Sequence, residues 1–286
     1  MTSVGRILER EKFLLAPGVY DALSAKTARR AGFEALFISG YSVAASQLGE
    51  PDIGLLSQTE VIEAARRICR AVDCPVIVDA DMGYGGILNV VRTVNELIAA
   101  GAKGCFLEDQ VWPKRCGHMS GKSVIPMEDH VAKLRAAVDA RGDRDFFIVA
   151  RTDAREATNS LDEAIRRAQA YKATGVDALF VEAPRSHDEL KEISRRVQPP
   201  FVANMLEGGV TPILPREELQ ALGFTIAVYP LTGLFAAAQS QAEIFGHLRS
   251  TGTTKDVMDR LLTFHDFHAI VELDARRALD KKYQVG

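Results

Sequence analysis

The sequence predicts an α/β chain folded as a (β/α)8 TIM barrel, and three observations predict it. Short apolar, β-branched runs recur eight times, each followed by a stretch of helical patterning. Strands that alternate with helices imply parallel βαβ units. The length of 286 residues suits one barrel, which needs about 250.

The eight runs are LLAPGVY (14–20), EALFISG (34–40), PVIVDAD (75–81), GCFLEDQ (104–110), DFFIVART (145–152), DALFVEA (177–183), PFVANML (200–206) and TIAVYPL (225–231). Near-continuous apolar strands fit a closed barrel better than an open sheet. Between them lie patterns such as SQTEVIEAARRICRAV and LDEAIRRAQAYKATG. Both begin near Ser or Thr and reach a Gly, Cys or Asp turn before the next strand, as capping chemistry dictates. An open dinucleotide-binding sheet fails on detail. Gly83, Gly85 and Gly86 follow a strand, but Leu88 stands where the third Gly of G-x-G-x-x-G belongs. Residues 117–123 (GHMSGKS) are one residue short of a phosphate loop.

After the eighth run, residues 231–283 are helical throughout by pattern, more than one barrel helix needs. The excess either packs on a neighbouring subunit or covers the barrel's own end. One domain over 1–286 is therefore expected, with 231–286 as a C-terminal helical extension. Bulk properties narrow the partners. With 47% hydrophobic and 26% charged residues the chain can bury a large core. A net charge of −3 with interspersed signs argues against nucleic acid or an anionic membrane as partner. No run approaches the roughly 18 apolar residues of a membrane span. The start lacks the apolar segment of a secretory signal. Four cysteines read as reduced thiols of a cytoplasmic protein rather than a disulfide framework.

In a barrel of this type the strand ends carry the chemistry, and polar residues concentrate there. They are Ser39, Gly40 and Tyr41 after the second run, Asp79 and Asp81 on the third, and Glu108 on the fourth. Arg151 ends the fifth, Glu182 the sixth, and Asn204 the seventh with Glu207 just beyond. Asp79 and Asp81, two apart on a strand, are expected to share a face. With Glu108 alongside they would repel unless a cation joins them, and hard oxygen ligands suit Mg²⁺ or Mn²⁺. Capping helices or pairing with Lys and Arg is the competing use of such acids. Arg151 can clamp a substrate carboxylate with two parallel bonds, and the Ser39 and Gly40 amides can add donors.

The segment 110–125 (QVWPKRCGHMSGKSVI) is long for a barrel loop, contains Gly, and suits a lid. Cys116 follows Lys114 and Arg115 and precedes His118; cations nearby are expected to lower its pKa and let it exchange a proton near neutrality. Cys-x-His alone makes a poor zinc site. Cys69, Cys74 and Cys105 are expected to be ordinary buried thiols. His130 and His187 are expected on helix surfaces; His265 and His268 receive no role.

These motifs resemble a known family. The run Lys114-Arg115-Cys116-Gly117-His118 matches the K-[KR]-C-G-H signature of the isocitrate lyase / phosphoenolpyruvate mutase superfamily. The resemblance extends over PGVYDALSA (17–25), Asp79-Ala80-Asp81, Leu107-Glu108-Asp109-Gln110 and Ala150-Arg151-Thr152-Asp153, and covers roughly residues 10–250. It implies a (β/α)8 barrel that exchanges a C-terminal helix between paired subunits, usually within a homotetramer. It also implies Mg²⁺ near Asp79, Asp81 and Glu108, often through water, with a 2-oxo or 2-hydroxy acid on the metal, Ser39, Gly40 and Arg151. The superfamily's mutases and phosphonopyruvate hydrolases generally lack the loop cysteine, so Cys116 is similar to the carbon–carbon lyases. The chain is shorter than isocitrate lyases, and its strand-seven motif Asn204 to Gly209 departs from their serine-rich version. It resembles 2-methylisocitrate lyases and 2-alkylmalate lyases, including 2,3-dimethylmalate lyase. Met119 follows the signature His where methylisocitrate lyases commonly carry Arg, which counts against a third substrate carboxylate.

The resemblance implies retro-aldol cleavage of a 2-hydroxy di- or tricarboxylate to pyruvate or a related 2-oxo acid plus a carboxylate. Cys116 is then the general acid, Tyr41 or Glu182 the base, and Lys114, His118 and Arg151 the companions. Asn204 and Glu207 join the substrate contacts. Oxaloacetate hydrolysis or decarboxylation on the same scaffold is the alternative. A barrel that binds a small carboxylate without turnover is a third reading, which the acids, Cys116 and Arg151 disfavour.

Overall fold

A computed structural model describes residues 1–284. The elements run, in order, α1 (Ser3–Glu11), β1 (Leu14–Val19), α2 (Ala22–Arg30), β2 (Leu36–Ile38), α3 (Gly40–Val43) with one π-helical turn (Ala44–Leu48), and α4 (Gln58–Ala71). They continue as β3 (Val76–Asp79), α5 (Ile87–Ala100), β4 (Gly104–Glu108), α6 (Met127–Arg141), β5 (Phe147–Thr152), α7 (Ala154–Ala157), α8 (Leu161–Lys172) and β6 (Ala178–Val181). Then come α9 (His187–Arg196), β7 (Phe201–Asn204), α10 (Arg216–Ala221), β8 (Ile226–Tyr229), α11 (Thr232–Thr251), a 3-10 segment (Lys255–Arg260), α12 (Phe264–Ile270) and α13 (Leu273–Tyr283). The eight strands close, all parallel and in sequence order, into a barrel. Each lies within its predicted run.

Local chemistry explains the helix starts. Ser57 caps α4 and receives the reciprocal bond from Glu60, and Asp21 with Ser24 does the same for α2. Ser160 and Ser186 cap α8 and α9. Alternation along the strands then builds two cores. Phe37, Ile77, Phe106, Phe147, Val149 and Phe180 fill the barrel interior, and α1 plugs its N-terminal end with Val4 and Ile7. Phe106 stacks between Phe37 (4.8 Å between ring centroids) and Phe180 (5.7 Å). Truncating a ring so enclosed costs about 3–5 kcal/mol. The second core lies between strands and helices, where α4 contributes Val61, Ala65 and Ile68. A filled interior leaves the strands' C-terminal ends as the place where polar side chains meet.

The C-terminal extension is not one continuous helix. Gly252, in the left-handed conformation at φ 72°, stops α11, and the chain turns through the 3-10 segment before α12 and α13. The extension expected over 231–286 is described to Gln284; 285 and 286 lie outside the described residues. It exposes Phe245, Leu262, Phe264 and Tyr283. No described helix is long and apolar enough to cross a membrane.

Candidate active site at the strand ends

Glu108 and Arg151 are register partners on β4 and β5, so their side chains rise together from the barrel rim. Phe180, in the layer below, places its ring 5.3 Å from the Arg151 guanidinium and forms part of the floor. Asp79 ends β3, half-buried. Asp81 does not share the strand face as expected. The strand stops at Asp79, and Asp81 sits in a left-handed turn at φ 46°, its amide donating to Asp79 Oδ1 at 3.2 Å. A non-glycine residue held there is strained, a condition common at functional sites.

The three carboxylates expected to hold an ion do not converge on one point by themselves. Among the described residues no three His, Cys, Asp or Glu side chains group as an ion would require. Instead the acids gather about the Lys114 ammonium, which lies 2.5 Å from Asp52 Oδ1 and 2.8 Å from Asp81 Oδ1. Burial alone would depress this lysine. The charges of Asp81, Asp52, Asp79 and Glu108 outweigh it and hold the ammonium well above its usual range. One cation does not satisfy the cluster. Glu108 Oε1 is buried without a hydrogen-bond partner. Desolvation pushes Asp81 up to about 6 against the pull of Lys114, and Glu108 well above the carboxylate range. An orphaned carboxylate oxygen among all-oxygen donors fits a hard divalent ion. Asp79, Asp81 and Glu108 would hold it as an incomplete set that other oxygen ligands fill.

Arg151 spends its fork within the protein. Nε donates to Asp153 Oδ2 at 2.8 Å and Nη2 to Asp153 Oδ1 at 3.0 Å. The same Nη2 stands 3.3 Å from Glu108 Oε2 and 3.1 Å from Glu182 Oε2. The bidentate clamp predicted for a substrate is therefore made on Asp153. Among the described residues Nη1 makes no such bond, which leaves one nitrogen with its two N–H groups for a ligand.

Glu182 is equally occupied. It accepts from the Ala183 amide at 2.9 Å and from Asn204 Nδ2 at 3.3 Å. His118 Nε2 lies 3.2 Å from its Oε1. The Val210 amide donates to His118 Nδ1 at 3.0 Å, which assigns the ring proton to Nε2, pointing at Glu182. Burial opposes ionisation, but Arg151 and the His118 bond hold the Glu182 carboxyl well below its usual range. Arg151 and His118 thus both hold it in its charged form.

Cys116 is positioned by its backbone: its amide donates to the Asp52 carbonyl at 3.1 Å, and its carbonyl accepts from Met119 at 2.9 Å. Its thiol does not follow the sequence expectation. Burial pushes it up to about 11, beyond what the His118 backbone bond and Arg151 recover. The adjacent cations are occupied elsewhere, Lys114 by acids and Arg115 by the Ser120 carbonyl at 3.1 Å. These surroundings favour the thiol over the thiolate. The loop is closed over the centre. A Cβ at Gly117 would stand 2.6 Å from Arg151 Nη2 and would also strike Glu182 Oε2, so only glycine permits this approach.

Ser39 is buried and its hydroxyl accepts from Ser42 at 3.3 Å, beginning α3, which places Gly40 against Asp79 and leaves Tyr41 half-buried at the rim. Glu207 is drawn to the Thr232 hydroxyl. His187 is exposed as expected. His130 is not a surface residue: it is buried against Tyr171, ring centroids 4.7 Å apart. Cys105 is buried, while Cys69 and Cys74 are half-buried. Sequence reasoning missed Asp52, Lys122 and Tyr84. Asp52 lies in a loop without periodicity. Lys122 was visible only as part of the near-miss phosphate loop. The Tyr84 ring covers Asp81, and burial with the neighbouring acids pushes its hydroxyl well above its usual range.

Ionisable side chains gathered at the C-terminal ends of closed barrel strands define a (β/α)8-barrel enzyme. The chain belongs to the phosphoenolpyruvate phosphomutase family, whose pattern it matches over residues 5–248. It is 50% identical to the carboxyvinyl-carboxyphosphonate phosphorylmutase, chloroplastic, of Arabidopsis thaliana, covering 99% of this chain and 84% of that protein. With the 2,3-dimethylmalate lyase of Eubacterium barkeri it shares 43% identity over 98% of this chain and 96% of the relative. Among solved structures it superposes on oxaloacetate acetylhydrolase with 3,3-difluorooxalacetate at a TM-score of 0.91, with 33% identity and coverage of 98% and 95%. Phosphonopyruvate hydrolase in complex with oxalate and Mg²⁺ gives 0.87 at 29% identity, covering 99% of each chain.

Proposed function

We propose that this enzyme is a Mg²⁺-dependent carbon–carbon lyase that cleaves a 2-hydroxy dicarboxylate of the 2-alkylmalate type. The observation that carries the reading is the Cys116 thiol, held protonated on a closed loop above the acid cluster. A carbanion departing from a broken C–C bond needs such a proton. Asp79, Asp81 and Glu108 would hold Mg²⁺, with Mn²⁺ as substitute, which would supply Lewis acidity at the 2-hydroxy acid end of the substrate.

The residues divide the remaining work. Arg151 Nη1, with the Ser39 and Gly40 backbone, orients the 2-hydroxy acid end. Tyr41, as its phenolate, takes the 2-hydroxyl proton, directly or through water, because Glu182 is already committed to Arg151 and His118. The C2–C3 bond then breaks, its electron pair moving into the C3 carboxylate as an enediolate, while C2 becomes the carbonyl carbon of a 2-oxo acid. Lys114 and Arg151 provide positive charge near that enediolate. Cys116 delivers its proton to C3, and the 2-hydroxyl proton left on the base balances it. His118 and Asn204 fix Glu182, and Glu207 borders the substrate space. Met119, where a cation would serve a third carboxylate, favours a dicarboxylate over methylisocitrate.

The relative that cleaves 2,3-dimethylmalate by name supports this reading. The likeness to oxaloacetate acetylhydrolase supports a second, hydrolysis or decarboxylation of oxaloacetate. Purified protein with Mg²⁺ is to be assayed against 2,3-dimethylmalate, 2-methylisocitrate, oxaloacetate and phosphonopyruvate. Pyruvate from dimethylmalate is expected; turnover of oxaloacetate or phosphonopyruvate alone would replace the lyase assignment.

The chain is read as a single domain that assembles as a homotetramer, with C-terminal helices exchanged between paired subunits. A cavity of about 640 Å³ between α2 and α11, lined by Leu15, Tyr20, Leu23, Phe33 and Tyr229, supports this. Apolar side chains exposed on the C-terminal helices offer something to fill it.

A further inference from the structure

Lys122 has no place in the chemistry above, yet its side chain is completely buried together with that of Asp153. Its Nζ lies 2.8 Å from Asp153 Oδ1 and donates also to the Gly117 carbonyl, the residue after Cys116. A buried ammonium is costly unless paired and hydrogen-bonded, so this one fixes geometry. Asp153 is the carboxylate that aligns the Arg151 fork. One acid therefore joins the guanidinium that faces substrate to the loop that carries the thiol.

Asp153 is itself fixed from behind. Its amide donates to Asp109 Oδ1 at 2.9 Å. Asp109 Oδ2 accepts from Thr152 Oγ1 at 2.8 Å, Tyr171 at 2.7 Å and Arg167 Nη1 at 3.0 Å. The same Arg167 nitrogen holds the Ile125 carbonyl at 2.9 Å, and the Ile125 amide reaches the Asp109 carbonyl at 2.9 Å. Both stems of the loop thus rest on Asp109, while its tip is tied by Lys122.

We propose that Lys122 is the positioning residue of this site: through Asp153 and the Gly117 carbonyl it latches the loop so that Cys116 stands over the reacting carbon. The seating of Cys116 needs no assumption about substrate; the kinetic consequence rests on the lyase reading.

The test is Lys122→Met, with Lys122→Arg as conservative rescue. The first readout is the rate of N-ethylmaleimide labelling at each cysteine, resolved by peptide mass spectrometry. Labelling of Cys116 is expected to rise at least tenfold in Lys122→Met and to return toward wild type in Lys122→Arg, with Cys69, Cys74 and Cys105 unchanged. The second readout is kinetic: kcat falls at least tenfold while KM changes less than threefold. Unchanged labelling of Cys116 overturns the latch. A rise at all four cysteines makes Lys122 merely structural and also overturns it. Selective exposure of Cys116 in a protein whose wild type turns over none of the four substrates leaves the latch standing and removes the lyase reading. If Lys122→Met does not fold, Lys122→Gln removes the charge while keeping a polar end, and the same selective rise at Cys116 is expected.

Discussion

Arg151 Nη2 stands 3.3 Å from Glu108 Oε2, directly across the ladder between neighbouring strands. The pair shows how the barrel solves a charge problem: an acid too deeply desolvated to ionise alone is placed beside a guanidinium shared with Asp153 and Glu182. Lysine cannot reproduce that fork, because its single ammonium has neither the planarity nor the number of donors. Arg151→Lys is expected to fold and to lower kcat/KM by about 10²–10³-fold, the cost of a lost transition-state donor. Steady-state kinetics on the active substrate check this; a loss under threefold would mean Arg151 serves the scaffold only.

Cys116 yields a prediction with a definite sign. Its thiol is pushed up to about 11, so below that pH the protonated form dominates. The alkylation rate at Cys116 is expected to climb about tenfold per pH unit from pH 7 onward without levelling below pH 9, since only the thiolate reacts. A plateau near neutrality would show an activated thiolate and remove the proton-donor role. Cys116→Ser, which replaces the thiol by a weaker acid, should lower kcat by about 10²–10⁴-fold.

The barrel was legible because its signal is periodic and repeated; Phe147–Thr152, for instance, falls inside the run read as 145–152. Glu108 and Arg151 were legible for the same reason, since a strand end has a fixed direction. What failed was chemistry inferred from sequence neighbours. Lys114 and Arg115 flank Cys116 in the chain, but Lys114 turns to Asp52 and Asp81 and Arg115 to the Ser120 carbonyl. Burial then decides the thiol, and burial of a loop residue has no local signature. Asp52 and Lys122 were hidden likewise, their partners lying far along the chain. His130, among charged neighbours in MEDHVAK, reads as a surface position until Tyr171 covers it.

Metal dependence is expected from the orphaned Glu108 Oε1 beside Asp81 and Asp79. Dialysis against EDTA should abolish turnover, and Mg²⁺ should restore it. Independently of activity, Mg²⁺ at a hundredfold excess over its Kd should stabilise the protein by about 2.7 kcal/mol, read as a rise in Tm. Glu108→Gln with Asp81→Asn should lose that rise. A Tm shift that survives both changes would place the ion elsewhere.

His130 predicts part of the acid sensitivity. Desolvation, with Lys133 and Arg167 nearby, pushes it down to about 3 from 6.5. The unfolded chain therefore binds this proton more readily than the folded one. The stability contributed by the neutral ring is full above about pH 6.5 and is lost as pH falls toward 3, at up to about 1.4 kcal/mol per unit. His130→Phe, which keeps a ring against Tyr171, should lose less Tm between pH 7 and 5 than wild type. Equal losses would mean the imidazole takes up its proton in the fold.

The C-terminal helices carry the last prediction. Phe264 is 83% exposed, Phe245 64% and Leu262 63%. Their burial would contribute about 1.5–3 kcal/mol each, far more than the helices recover in isolation. The apolar cavity between α2 and α11 is open on the same molecule. An isologous exchange, in which each subunit covers the other's groove, satisfies both surfaces at once. Light scattering coupled to size exclusion should give the mass of four chains for wild type. Phe264→Glu with Leu262→Glu should give smaller species, with exposed apolar surface that binds a hydrophobic dye. A wild type that elutes as a monomer at micromolar concentration would leave these helices to cover only their own barrel.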